Sequence, residues 1–187
     1  QARLRFADPR AVVAGSGYAS GVAVPVEGGY QVNGRWGYCS GSGYATMFTA
    51  NCVVRRDGEE DAVVSFIFEP GQVRILQDWN AFGMKATESH SIAVVDAFVP
   101  ADRTFSIFGE PRYDDPIYRY PFLQFAQVSF AAVSLGTGRR FLDEADAYAE
   151  EQRDRWDSKA PGRYERTKEA FATARETFEA AAAAFHA

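Results

Sequence analysis

Cysteine and histidine are both scarce in this sequence of 187 residues. It has two cysteines, Cys39 and Cys52, and two histidines, His90 and His186. Two cysteines are too few for a disulfide framework, and with so few histidines we expect no metal site. This cysteine usage favours a reduced protein of the cytoplasm, and a disulfide across a hairpin is the alternative.

Long apolar runs and an excess of positive charge are also missing. No stretch approaches the ~18–20 uninterrupted apolar residues that cross a bilayer. The formal net charge is −5 and no basic run occurs, which argues against nucleic-acid and anionic-membrane partners. The chain begins without an initiator methionine and without the pattern of a signal peptide. We expect it to be part of a longer protein.

Residues 1–112 alternate between short apolar runs and turn dipeptides. Runs such as ATMFTANCVV and AVVSFIFE are typical of buried strands. The dipeptides that predict turns are Gly28-Gly29, Asn33-Gly34, Asp57-Gly58 and Pro70-Gly71. Glycine and asparagine suit such positions because they tolerate the positive φ of tight hairpins. Many short strands with regular turns predict an antiparallel β-barrel or sandwich.

Residues 113–187 have a helical pattern. No proline interrupts the span from Phe122 to Glu151, and its apolar residues recur at helical spacing. After a break at DSKAPG, a second helix is predicted from Tyr164 to about Phe185. The fold class is therefore predicted to be α+β, with a β domain followed by a long helical hairpin.

The two predicted helices carry more apolar surface than a hairpin buries. We expect the remainder to pack against another helix pair, from further sequence or from a second subunit, which predicts a homo-oligomer. Two charged pairs also stand at helical spacing, Glu165–Lys168 and Arg175–Glu179.

The stretch GRWGYCSGSGYATM, residues 34–47, is unusual because small and hydroxyl residues occupy the centre of a strand-like pattern. One interpretation is a glycine-rich turn. The other is a surface on which something flat and polar lies against the backbone, where glycines leave room for close approach.

Three longer stretches together resemble one family. They are GGYQVNGRWGYCSGSGYATMF, WNAFGMKATESHSIAVVDAFVPADRTF and FAQVSFAAVSLGTGRRFLDEA. In this order they look like the acyl-CoA dehydrogenase superfamily, over about Val12 to Ala187. The resemblance implies the family's middle β domain (residues 1–112) and the first two helices of its four-helix C-terminal domain (residues 113–187).

The motifs are closer to the flavin-dependent monooxygenase branch, which contains aromatic hydroxylase oxygenase components. The sequence VVAGSGYASG lacks the Thr-Glu-Pro of true acyl-CoA dehydrogenases, and YCSG stands where those enzymes have Trp-Ile-Thr. The stretch GMKATESH is similar to that branch's Gly-Met-Arg-Gly-Thr-Gly-Ser-His, from which Lys85, Ala86 and Glu88 depart.

The resemblance implies a two-component monooxygenase. In such systems a separate flavin reductase delivers reduced FMN or FAD, molecular oxygen adds to give a flavin C4a-hydroperoxide, and an aromatic, phenolic substrate is hydroxylated. The family forms dimers or tetramers. The alternatives are an acyl-CoA dehydrogenase that oxidises acyl thioesters, and an inactive fragment that acts only in assembly.

The resemblance also implies roles for individual residues. Ser40 takes the catalytic position near flavin N5, where its hydroxyl can accept a hydrogen bond from N5–H. The other expected cofactor contacts are Tyr38, Cys39, Gly41, Thr87 and Ser89. Ser16 and His90 are expected to contact substrate. The catalytic base of the family belongs to helical segments outside this chain, so no residue here is assigned that role.

Each of these residues also has a structural interpretation. Ser40 can be a turn serine that bonds its own backbone, and Ser16 a loop-capping serine. Trp36 and Tyr38 can be core aromatics instead of a flavin wall. Thr87 and Ser89 can be ordinary turn hydroxyls, and His90 a structural histidine.

Overall fold

A computed structural model of the chain describes residues 7–56, 58, 60–111 and 113–186. The chain divides into two compact units, Gln1–Gly109 and Glu110–Ala187. The first unit contains the strands and the second contains the long helices, so the predicted α+β class is confirmed.

The first unit is one seven-stranded sheet in the order β5-β6-β2-β1-β3-β4-β7. The strands are β1 (Val13–Val26), β2 (Gly29–Trp36), β3 (Met47–Val54), β4 (Ala62–Phe68), β5 (Arg74–Leu76), β6 (Ser91–Pro100) and β7 (Thr104–Phe105). Neighbouring strands are antiparallel except β1 and β3, which run parallel. The predicted antiparallel arrangement therefore holds for five of the six strand pairs.

The sheet curves around its own core. Tyr30 on β2 and Phe66 on β4 meet edge to face, with ring centroids 5.2 Å apart. Trp36 and Phe68 on the same two strands lie 5.9 Å apart. Two strands separate β2 from β4, and neighbouring strands are about 4.8 Å apart, so a flat sheet would keep these rings apart. The sequence left open a barrel or a sandwich, and the structure has a single bent sheet.

The turn predicted at Asn33-Gly34 is wrong, because both residues lie inside β2. A Cβ at Gly34 would collide with the Trp36 indole, so glycine is needed there for packing. Asn33 marks a bulge against β6, where its side chain bonds both the backbone N–H and the carboxylate of Asp96. The turn at Gly28 does form, with φ of 76°.

Two other predicted turns are partly described. Pro70 opens a short 3-10 turn, Pro70–Gln72, directly after β4. Gly58 has φ of 80°, whereas its partner in the predicted turn, Asp57, lies outside the described residues.

A buried asparagine holds the bulged part of β1. The pairing of β1 with β3 shifts between Ser16 and Gly21. The Asn51 side chain, on β3, donates to the carbonyl of Gly17 at 2.8 Å and accepts from the Ser65 hydroxyl at 2.6 Å. The backbone carbonyl of Asn51 accepts a hydrogen bond from the Trp36 indole N–H at 2.8 Å. These bonds satisfy polar groups that the irregular strand would otherwise leave unpaired.

The second unit has a short helix, α1 (Pro116–Arg119), followed by the predicted hairpin of α2 (Phe122–Lys159) and α3 (Arg163–His186). Gly162, with φ of 72°, turns the chain between the long helices. At 1.5 Å per residue, α2 is about 57 Å long. Several of its apolar residues are exposed, as expected of helices that carry more apolar surface than a hairpin buries: Phe125, Phe130, Val133 and Phe141.

Most ion pairs of the hairpin run between the two helices, whereas Arg140 and Glu144 pair along α2. Lys168 bonds Asp146 at 2.5 Å and Glu150 at 2.9 Å. Arg175 pairs with Asp143, and Glu179 pairs with Arg139. Three of the four charges singled out at helical spacing, Lys168, Arg175 and Glu179, therefore pair with residues of α2. No described helix is long and apolar enough to cross a membrane.

Candidate functional site

Two loops of the first unit are bonded to each other side by side, and we call them the paired loops. The first is residues 38–44 after β2, and the second is residues 84–90 before β6. The backbone N–H groups of Cys39 and Gly41 donate to the carbonyls of His90 and Thr87, at 3.1 and 2.7 Å. The side-chain hydroxyls of residues 42 and 44 donate to the carbonyls of residues 88 and 86, at 2.7 and 2.9 Å. The two stretches that carry the family resemblance are thus brought together.

The paired loops hold several residues in the left-handed backbone region. Tyr38, Met84 and Glu88 have φ of 56°, 55° and 43°, and Gly41 has φ of 83°. For residues other than glycine this region is costly, and such strain gathers where the surrounding structure imposes a geometry.

Three hydroxyls form a chain across the paired loops, which we call the hydroxyl chain. The Ser40 and Ser89 oxygens lie 2.8 Å apart, and those of Ser89 and Thr87 lie 2.7 Å apart. The Thr87 hydroxyl donates to the carbonyl of Met84 at 2.9 Å. Ser89 is 7% exposed, whereas Ser40 is exposed to solvent. Ser40 is therefore the outer end of a chain whose other members lie further inside.

Cys39 is completely buried, and its predicted contact with a cofactor stays a prediction. Its N–H and carbonyl are both bonded within the paired loops. Burial raises the pKa of its thiol to about 11, and that of the buried Cys52 to about 12. Both are free thiols, so the hairpin disulfide does not form and neither sulfur is poised to react.

The two aromatic residues of the first loop have opposite environments. Trp36 is 1% exposed and belongs to the core, as one interpretation of the sequence has it. Tyr38 is 78% exposed, so core packing is excluded for it. Its ring meets the edge of Trp79 with centroids 6.2 Å apart. Trp79 is itself half-buried, so the two rings form a partly exposed aromatic surface, and Tyr38 precedes Ser40 by two residues.

His90 holds the Trp79 segment against the paired loops. Its Nδ1 accepts the backbone N–H of Trp79 at 2.9 Å, and its carbonyl accepts that of Cys39. The side chain is mostly buried. An accepting Nδ1 places the proton of the neutral ring on Nε2. The structural role that the sequence left open for His90 is therefore present, and only Nε2 is left for a substrate.

Ser16 lies beside the paired loops. Its neighbour Gly15, on β1, forms an isolated bridge with Ser40. Ser16 is half-buried, and within the described part of the chain its hydroxyl has no hydrogen-bond partner. The structure therefore brings Ser16 and Ser40 into the same region, although they are 24 residues apart.

Asp78 was not singled out in the sequence, and it anchors the same region. Its carboxylate accepts the backbone N–H of Ser91 at 2.7 Å and pairs with Arg35 at 3.0 Å. The bond from the Ser91 backbone, with the smaller contribution of Arg35, lowers the Asp78 pKa to about 2. No sequence signal marked this residue, because a single aspartate before a tryptophan is an ordinary loop feature.

The described residues include no group of three or more histidine, cysteine, aspartate or glutamate side chains that could hold a metal ion. What the paired loops offer a ligand is an exposed hydroxyl, partly exposed aromatic rings and backbone at Gly41 without a side chain. Such a surface suits hydrogen bonding and stacking with a flat, polar molecule.

The chain resembles known proteins both in sequence and in fold. No family model matches the sequence. Among curated proteins, an indole-3-acetate monooxygenase of Pseudomonas putida is 36% identical over 141 residues, which are 75% of this chain and 36% of the relative. The flavin-dependent monooxygenase oxygenase subunit HsaA of Rhodococcus jostii is 32% identical over 146 residues, 73% of this chain and 37% of the relative. The chain thus spans little more than a third of the length of these relatives.

Solved structures give the same result for the fold. The 3-HSA hydroxylase from Rhodococcus sp. RHA1 superposes with a TM-score of 0.71 at 26% identity, over 81% of this chain and 41% of that one. XiaF from Streptomyces sp., solved with FADH2 and glycerol, superposes with a TM-score of 0.65 at 26% identity, over 81% of this chain and 39% of XiaF. TdsC from Paenibacillus sp. A11-2, solved with FMN and indole, gives 0.60 at 23% identity, over 79% and 40%.

These findings confirm the resemblance seen in YCSG and GMKATESH. By sequence and by fold, the chain is a relative of the flavin-dependent monooxygenase oxygenase components and corresponds to a segment of them.

Proposed function

We propose that this chain is the flavin-facing part of the oxygenase component of a two-component aromatic monooxygenase. In the proposal, the β domain contacts a reduced flavin and the substrate, and the helical hairpin contributes to assembly. The main support is the exposed Ser40 hydroxyl, which is hydrogen-bonded to the buried hydroxyl of Ser89. It occurs in a protein related to flavin-dependent monooxygenases.

The residues present fit one wall of a flavin site. The isoalloxazine ring is flat and has polar atoms along its edge, so it needs a hydrogen-bonding group beside an unobstructed surface. Ser40 supplies the hydrogen-bonding group, while Gly41 and the Tyr38–Trp79 surface supply the unobstructed surface. When bound, the reduced flavin supplies the electrons that activate molecular oxygen.

Each residue has a defined task in this proposal. The Ser40 hydroxyl accepts a hydrogen bond from N5–H, while Tyr38 and Gly41 contact the ring. Ser89 and Thr87 act through Ser40, since their hydroxyls are bonded within the paired loops. We propose that Ser16 and His90 contact the substrate. Ser16 would do so through its free hydroxyl and His90 through Nε2. Keeping water away from the ring is expected to need segments beyond this chain.

The partners follow from the same proposal. A separate reductase would deliver the flavin, and an aromatic, phenolic molecule would be hydroxylated. XiaF was solved with FADH2 and TdsC with FMN, so both flavins are retained as candidates. The exposed apolar residues of α2 support a homo-oligomer, and the two free thiols support a cytoplasmic location.

The test is turnover by the full-length protein with a flavin reductase, NADH, oxygen and a panel of phenols. The proposal expects an oxygen-dependent hydroxylated product, and expects none when the reductase is omitted. If the protein instead oxidises acyl-CoA thioesters with an artificial electron acceptor, without reductase or oxygen, the monooxygenase proposal is wrong and the protein is an acyl-CoA dehydrogenase. Failure to bind either flavin would leave only a role in assembly.

A further inference from the structure

The hydroxyl chain has a direction, because each hydroxyl carries one proton. A carbonyl oxygen can only accept, so the Thr87 hydroxyl at 2.9 Å from the Met84 carbonyl must donate to it. Thr87 then has no proton for Ser89, so Ser89 donates to Thr87 across 2.7 Å. By the same step, Ser40 donates to Ser89 across 2.8 Å.

The Met84 carbonyl fixes this direction firmly. It also accepts the Thr87 backbone N–H at 3.1 Å and the Trp79 indole N–H at 3.2 Å. Every group that faces it is therefore a donor. Hydrogen bonds in such a series polarise one another in the same sense, and burial of Ser89 keeps water from competing. Among the described residues, no other group bonds any of the three hydroxyls.

The exposed end of the chain consequently presents lone pairs and no proton. We propose that Ser89 and Thr87 are positioning residues that make Ser40 an obligate acceptor, so that the site selects reduced over oxidised flavin. Reduced flavin carries a proton on N5 and can donate to Ser40. Oxidised flavin has only a lone pair at N5, which would face the Ser40 lone pairs. This inference rests on the proposed function.

Thr87→Val tests the direction without touching Ser40. Valine has nearly the same shape but neither donates nor accepts, so Ser89 is left to donate to Ser40. The Ser40 proton then turns outward. The ratio of the dissociation constants of oxidised and reduced flavin is expected to fall about tenfold, chiefly through tighter binding of the oxidised form. Thr87→Ser keeps the hydroxyl and should leave the ratio unchanged.

Ser42→Ala is the matched control. Ser42 is also a buried serine of the paired loops, and its hydroxyl donates to the carbonyl of Glu88, outside the hydroxyl chain. Removing the Ser42 hydroxyl loosens the paired loops without changing the hydroxyl chain. The dissociation constants of oxidised and reduced flavin should therefore change by the same factor. The measurement is anaerobic titration of the full-length variants with oxidised and with dithionite-reduced FMN and FAD.

The outcomes separate the two proposals. If wild type binds reduced flavin and Thr87→Val weakens both forms equally, or changes neither, the direction is wrong while the flavin site stands. If Ser40→Ala in the Thr87→Val background fails to remove the gain for oxidised flavin, the effect does not pass through Ser40 and the inference is overturned. If wild type binds neither flavin in either state, the proposed function and this inference both fall.

Discussion

The carboxylate of Glu88 occupies the space that a side chain at Gly43 would need. A Cβ built on Gly43 collides with the Glu88 carboxylate oxygen, and Glu88 itself has φ of 43°. Glycine at residue 43 is therefore explained by its neighbour in the second loop and not by close approach of a ligand. The two residues belong to one packing arrangement of the paired loops.

Glu88→Gly is expected to raise the free energy of unfolding by about 1 kcal/mol, because glycine adopts this backbone conformation without strain. Chemical denaturation of wild type and variant measures the change. Glu88→Ala keeps the strained φ, so it should bring no such gain. Equal stabilisation by both substitutions would mean that the carboxylate, and not the backbone, is the source of strain.

Asn51→Ala should cost about 2–3 kcal/mol of stability, because it leaves the buried Ser65 hydroxyl without its partner and removes the bond to the Gly17 carbonyl. Ser65→Ala removes only one of these bonds and should cost less. Denaturation midpoints of both variants give the comparison. If the two losses were the same, the bond to the bulge at Gly17 would contribute nothing.

Asp78 is expected to contribute to stability at neutral pH and to lose that contribution in acid. Its pKa is about 2 in the folded protein and 3.8 ordinarily, so the unfolded chain takes up the proton first. The stabilisation is therefore complete above the ordinary pKa and disappears as pH falls from about 4 to about 2. Asp78→Asn should be less stable at neutral pH and should show a flatter dependence across this range.

Urea denaturation at a series of pH values measures this dependence. Glu27→Gln is the control, because Glu27 is an exposed carboxylate in the β1–β2 turn. A wild type and an Asp78→Asn variant with parallel curves between pH 4 and 2 would show that the bonds to Ser91 and Arg35 do not stabilise the fold.

Ser40→Ala is expected to raise hydrogen peroxide release per hydroxylated product several-fold in the full-length protein. The proposed bond to N5–H would be lost together with the bond to Ser89, while Ser89 still donates to Thr87 and the bonds from the first loop to the carbonyls of the second remain. Peroxide and product are measured in the same reaction. Ser42→Ala should leave their ratio near that of wild type, and an unchanged ratio in Ser40→Ala would refute the role proposed for Ser40.

The sequence predicts the classes and order of elements well, since alternation, turn dipeptides and helical spacing are local properties. The sequence-based prediction fails where a residue distant in sequence determines the local structure. Asn33-Gly34 has the composition of a turn, but the indole of Trp36 needs the space at Gly34 inside a strand. The parallel pairing of β1 with β3 and the interhelical partners of Lys168 likewise depend on contacts between distant residues.

The candidate site was reachable from the sequence only through the resemblance. Ser40 and Ser89 are 49 residues apart, and no spacing rule joins them. The burial of Cys39 between two residues that are themselves exposed is also beyond a local pattern, because it follows from how the first loop lies on the second.

Of the five hydrogen bonds that the described residues form between the paired loops, four end on main-chain carbonyls of the second loop, at residues 86, 87, 88 and 90. The fifth joins the hydroxyls of Ser40 and Ser89. A main-chain carbonyl is present whichever side chain the residue carries. Residues of the second loop whose side chains make none of the bonds described above can thus be exchanged while the first loop stays in register. Departures such as Lys85, Ala86 and Glu88 leave this framework intact, and the same tolerance makes these positions suitable for directed variation of the site's outer surface.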